Sequence, residues 1–143
     1  MKRKKVKRLI SILFIVGFST LFIGYKIYNK PHINVANEAA DIEQTANTLF
    51  TEFSLDETKA NAKYVDKIIA VKGVVTSISE EGEKAAIALQ TNDSFGTVVC
   101  YLTAKDSKKS RQIKEGQLIV LKGICTGFLM DVILVKCVVL NVK

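Results

Sequence analysis

The sequence predicts a mainly β protein, a five-stranded Greek-key barrel preceded by one transmembrane helix and a short helical segment. Three observations predict it. Residues 64–143 are β-branched stretches broken by the turn-rich SEEGE, TNDSFG and TGFLMD; a single polar stretch, AKDSKKSRQIKEG, lies between the third and fourth of them; and residues 1–30 set a block of cations before an uncharged apolar run.

The amino-terminal segment, residues 1–30, comes first. Six cations fall within residues 2–8, and Leu9 to Tyr25 are uncharged. At about 1.5 Å per helical residue that run spans roughly 25 Å, and a snorkelling Lys26 with Tyr28 at the interface extends it to the hydrocarbon thickness. A cleaved signal peptide would need a shorter apolar core and a small-residue exit, whereas the exit here is GYKIYNKPH, with no Cys for lipidation. The positive-inside rule puts the amino terminus in the cytoplasm and the rest outside, so the expected location is a bacterial cytoplasmic (inner) membrane, single-pass, with an extracytoplasmic domain.

Charge is divided accordingly. Of 21 Lys and Arg, eight lie in residues 1–30, which hold none of the 14 acids; residues 31–143 carry 13 basic against 14 acidic groups. The basic total of +7 therefore describes the amino-terminal segment, and the domain lacks the global positive charge on which non-specific nucleic-acid affinity depends.

Residues 31–63 read as a linker and amphipathic helices. From Glu38 the apolar Ile42, Ala46, Leu49, Phe50 and Phe53 recur at helical spacing. A second helix is expected over Asp56 to Lys63, with Ser54 and Asp56 available as caps. Residues 64–143 then give five strands: Lys67 to Ile78, Lys84 to Gln90, Gly96 to Leu102, Gln117 to Thr126 and Asp131 to Val142, with a short helix between the third and fourth.

Three strands, a helix and two strands in so short a span is the order of the OB-fold, a partly open Greek-key barrel. That order also accounts for a near-repeat: VKGVVT at position 71 and LKGICT at position 121 read as neighbouring first and fourth strands of one barrel. Gly73 and Gly123 would allow bending or close approach, Lys72 and Lys122 would face solvent, and Val71, Val75, Leu121 and Cys125 would face in. A tandem-repeat protein would need more copies and matching flanks.

The stretches Leu49 to Val75, VVCYL (98–102), Glu115 to Leu134 and Lys136–Cys137 resemble the bacterial tRNA-anticodon-binding-like (tRNA_anti-like) family of membrane-anchored OB-fold proteins. The resemblance implies an OB domain behind a small helical segment and an anchor; it implies no functional residues.

No motif for catalysis, nucleotide binding or metal ligation is present, so no enzyme activity, cofactor or metal site is expected. Cys100, Cys125 and Cys137 have neither zinc spacing nor a neighbouring His; they read as small buried hydrophobes, with Cys125 and Cys137 facing in and counted, like Gly73 and Gly123, as structural, and a disulfide is the alternative in an oxidising compartment. Glu80, Glu81 and Glu83 read as a solvated turn rather than a calcium loop, and Lys105, Lys108, Lys109, Arg111 and Lys114 as a solvated helix face. The ligand-binding candidates are Phe95 and Tyr101, the aromatics near the middle strands, and Phe128, Leu129 and Met130, an apolar turn that is expected to pack on the amino-terminal helix or cap the barrel, or else to meet a partner. The expected function is a membrane-anchored binding module whose partner is an envelope protein or glycan, ahead of single-stranded nucleic acid.

Overall fold

The structure, a computed structural model, describes residues 34–142 together with Ser19. The expected transmembrane helix of residues 1–30 lies outside the described residues, among which no helix is long and apolar enough to cross a membrane.

The described chain runs β1 (Ile42–Thr45), α1 (Ala46–Leu55), α2 (Glu57–Tyr64), β2 (Ile68–Glu81), β3 (Lys84–Leu89), β4 (Val98–Leu102), α3 (Ala104–Ser110), β5 (Leu118–Leu129) and β6 (Asp131–Val142). Strands pair in the order β1-β2-β3-β4-β6-β5, and β5 returns to β2, so β2 to β6 close a five-stranded barrel. The five expected strands are present in order, and β2 and β5 lie side by side and antiparallel, with Val71 opposite Leu121. The two similar hexapeptides are neighbouring staves of the barrel.

Period-two alternation builds the core. Ala85, Ile87 and Leu89 of β3 meet Val98, Cys100 and Leu102 of β4 inside, joined by Val71, Val75, Leu121 and Cys125 as expected. β2 is long enough to pair twice: Ile68–Val74 pairs with β5, and past the irregularity between Val75 and Ser77 the strand pairs with β3 as far as Glu81.

The helical segment plugs one end of the barrel. Thr45 caps α1 by accepting the Thr48 amide at 3.1 Å, and Asp56 caps α2 through the Lys59 amide at 3.0 Å. Phe50 and Phe53 of α1 pack on Phe128 of β5 at ring separations of 5.6 and 5.7 Å, and Phe53 also meets Tyr64. Each such aromatic pair contributes about 0.5–1.5 kcal/mol beyond its buried area.

Two expectations are corrected. The helix does not begin at Glu38: Ile42–Thr45 is a strand, parallel to β2, with Ile42 opposite Ile69. Asp41 secures it, its amide donating to Ile68 O and its carboxylate accepting from the Ile68 amide, both at 2.8 Å. Pairing with β2 satisfies backbone groups that a helix would have had to satisfy within itself, and tertiary context overrides local propensity. Nor does Lys122 face solvent: its side chain is buried, and its Nζ donates to Glu38 O at 2.6 Å and Ala36 O at 3.4 Å. The turn over residues 34–38 covers this part of the barrel's outside, where Val35 joins Ile68, Ile124 and Val138 in a second small apolar cluster. The covered ammonium keeps its hydrogen bonds by turning to the carbonyls of the covering turn.

Candidate functional site

Three of the five ligand candidates stand at one barrel end, on two loops held together by a carboxylate. Asp131, the first residue of β6, accepts at Oδ1 from both the amide and the hydroxyl of Thr97, at 2.7 and 2.8 Å, and the Val132 amide donates to Thr97 O at 3.1 Å. These bonds fasten the loop between β3 and β4 to the β5–β6 turn. The loop has its own staples: Asp93 Oδ1 accepts from the Phe95 and Gly96 amides, and the Asn92 amide donates to Asn47 Oδ1 in α1. A Cβ on Gly96 would lie 2.0 Å from the Phe50 ring, so the loop's inner side is pressed onto α1.

On that scaffold Phe95 is 90% exposed, Leu129 86% and Met130 75%. Met130 sits at φ +76°, the left-handed turn that reverses β5 into β6. A shallow cavity of about 280 Å³ beside Leu129 is lined by Thr126, Gly127, Phe128, Leu129 and Ile133 with Glu57 and Asn61 of α2. Phe128 is half-buried and reaches this surface only at the cavity wall. Its ring packs on Phe50 and Phe53 of α1, as expected of the apolar turn, while Leu129 and Met130 stand exposed.

Tyr101 lies apart. It projects from the outer side of β4, 49% exposed, opposite Ala86, in a surface that includes Ser77, Ser79, Ala86, Ala88 and Val99, with Ile133 of β6 opposite Val99. On the β2 and β3 side this wall is smooth, made of small side chains.

The structural candidates are all in close quarters. A Cβ on Gly73 would come within 3.0 Å of Ala46 and Leu89, and one on Gly123 within 2.3 Å of Cys137 Sγ. All three cysteines are buried as free thiols. Burial pushes the Cys125 thiol up to about 11, and Cys137 is held well above the ordinary thiol range by its hydrogen bond with Cys100 and by burial, so neither supplies a thiolate near neutral pH. Among the described residues no group of three His, Cys, Asp or Glu could hold a metal ion.

Sequence reasoning missed a second concave feature. The β2–β3 hairpin leans against α3, where Ser110 Oγ donates to Glu80 and Ser107 Oγ accepts from the Ala85 amide. Between hairpin and helix runs a groove of about 710 Å³. It gathers Lys105, Lys108 and Arg111, which had read as a solvated helix face, with Lys84 from β3. Lys84 is more than twenty residues away in sequence, and only its place at the start of a strand hinted at convergence.

The tRNA_anti-like family's sequence model matches residues 1–139. The chain belongs to the tRNA_anti-like family. No curated protein matches it in sequence. Among solved structures, this tRNA_anti-like chain is similar to a provisionally assigned nucleic acid-binding lipoprotein from Klebsiella pneumoniae, at TM-score 0.60 and 15% identity over 73% of this chain and 100% of that one. It is also similar to a provisionally assigned aspartyl-tRNA synthetase from Leishmania major, at TM-score 0.50 and 13% identity over 74% of this chain and 22% of the synthetase. At these identities the tRNA_anti-like domain shares a fold with both.

Proposed function

We propose that the protein is a non-catalytic, membrane-anchored binding module that holds an envelope protein or glycan against the end of its barrel. The observation that carries this reading is the exposure of Phe95, Leu129 and Met130 on two loops that Asp131 pins together through Thr97. Pre-set apolar groups on a rigid scaffold reduce the ordering cost of association, and contiguous exposed apolar residues mark interaction sites. The amino-terminal cations and apolar run support the anchor and an extracytoplasmic domain.

A photocrosslinking residue at Met130 tests the proposal in intact cells. Capture of one discrete envelope protein or glycan, absent when the same residue stands at Lys72 in β2, is the expected result. Equal labelling from both positions would remove the barrel end as the contact surface.

Tyr101 favours a second reading. An exposed aromatic on a smooth outer wall is a stacking platform for a base, and the similar Klebsiella protein carries a nucleic acid-binding assignment. That reading requires single-strand affinity that falls with salt and weakens on Tyr101→Ala.

A further inference from the structure

The groove between the β2–β3 hairpin and α3 lies at the far end of the β3–β4 ladder from the apolar loops. Leu89 pairs with Val98 beside those loops, whereas Lys84 opens β3 at the hairpin, about 17 Å away at roughly 3.3 Å per residue. Its chemistry is also different.

Cations elsewhere in the helical parts of the domain are neutralised locally: Lys59 by Asp56, Lys63 by Glu52 and Lys109 by Asp106. In the groove, Lys84, Lys105 and Lys108 have no carboxylate within salt-bridge distance among the described residues, and Arg111 reaches Glu80 only at 3.9 Å. Glu80 is partly occupied by the Ser110 hydroxyl, at 2.6 Å. Four cations thus face two carboxylates, Glu80 and Glu83, in one concavity of a domain whose overall charge is slightly negative.

Lys105 and Lys108 in the seven-residue α3 and Arg111 at its C-cap recur every three residues, so like charges crowd one another along one face. The helix is held by other means: Thr103 caps it, Ser107 and Ser110 bond to the barrel, and Asp106 accepts from the Val139 amide. The cations do not hold the helix in place, and their mutual repulsion falls when an anion enters between them. Ala104 and Gly82 leave the walls unobstructed.

We propose that this groove is a binding site for clustered phosphate groups, with Lys84, Lys108 and Arg111 as the principal contacts and Lys105 at the rim. The Arg111 fork offers paired donors to phosphate oxygens, and the lysines act as point charges around it. The proposal is independent of the apolar barrel end.

The test is calorimetric titration of the purified full chain with inorganic tripolyphosphate at low salt, where screening is weakest. In a Lys84→Gln/Lys108→Gln/Arg111→Gln variant affinity falls by at least about tenfold, as expected for loss of charge-assisted bonds. A Lys59→Gln/Lys67→Gln/Lys72→Gln variant, with the same change in net charge, stays within about twofold of wild type, because those lysines lie outside the groove. Retention of binding in a Lys84→Arg/Lys108→Arg variant confirms that charge in the groove is what matters. Equal losses in the groove and control variants, or no binding by the wild type, would overturn the proposal. Competition by a single-stranded oligothymidylate would assign the phosphates to a phosphodiester strand, and lack of competition to free phosphate groups; both keep the site.

Discussion

Gly123→Ala is the most informative single perturbation of the barrel. Gly123 is not one of the glycines at positive φ, so alanine costs nothing in backbone conformation there. The cost is contact. The new Cβ would lie 2.3 Å from Cys137 Sγ, 3.1 Å from Val135 O and 3.3 Å from Leu134 Cβ. Unstrained heavy-atom contacts sit at about 3.5–4.0 Å, so β5 and β6 must part by roughly 1 Å. In a closed barrel that displacement passes to the strands on either side. Overpacking of this kind costs typically 1–3 kcal/mol, and a clash this deep belongs at about 3. For a domain of this size, that lowers the melting temperature by roughly 12 °C.

The double variant isolates the cause. Cys137→Ala alone removes one buried sulfur, for about 1 kcal/mol. Combined with Gly123→Ala it also removes the nearest clash, so the two changes should couple favourably by at least about 1 kcal/mol. Thermal and urea melts of the four proteins measure this. Strict additivity, or a Gly123→Ala melt indistinguishable from wild type, would refute the close-approach explanation of the repeated glycine. Gly73→Ala, whose nearest contacts are at 3.0 Å, should be the milder of the two.

Other consequences follow from buried polar groups. Lys122→Ala removes an ammonium that donates to two carbonyls, and should lower stability by about 2 kcal/mol while releasing residues 34–38 to faster amide exchange than those of the barrel strands. Burial pulls the Asp106 carboxyl up, but hydrogen bonds from Lys109, Thr103 and the Val139 amide outweigh it and hold the group below the usual carboxylate range. Its contribution is therefore complete above the ordinary carboxylate pKa and is lost as pH falls through the depressed value, so Asp106→Asn should flatten the acid limb of a stability-versus-pH curve. The three thiols should react with an aromatic disulfide reagent at pH 8 only as the protein opens, with rates that rise on addition of denaturant, because all three are buried and burial raises the pKa of Cys125.

Much of the barrel was legible because period-two alternation and turn residues leave little choice of strand or face. The β6 bounds, Asp131 to Val142, coincide with the reading, and the shared K-G pair located the β2–β5 seam. β1 was hidden because Ile42 and Ala46 are four residues apart, a spacing that suits one helical turn and two strand repeats equally, and because its partner Ile69 lies far along the chain. Lys122 was misplaced because alternation assigns sides of a strand but cannot say whether the outer side is covered. The near-continuous apolar run Leu118 to Cys125, with Ile68 and Val138 of outward parity, was the available signal that it is. Phe128 and its neighbours Leu129 and Met130 read as one apolar turn, and only the position of α1 divides them.

The turn at residues 34–38 also gives the domain a mechanical character. Any tension transmitted along the chain from its amino-terminal side meets Val35, seated among Ile68, Ile124 and Val138, and the Lys122 bonds to Ala36 and Glu38 before it reaches β1. Those few contacts would yield first, extending five residues and leaving every hydrogen bond between β2 and β5 intact. A pull from that side would therefore be absorbed as slack at the entrance, with the loops that carry Phe95 and Met130 left undisturbed.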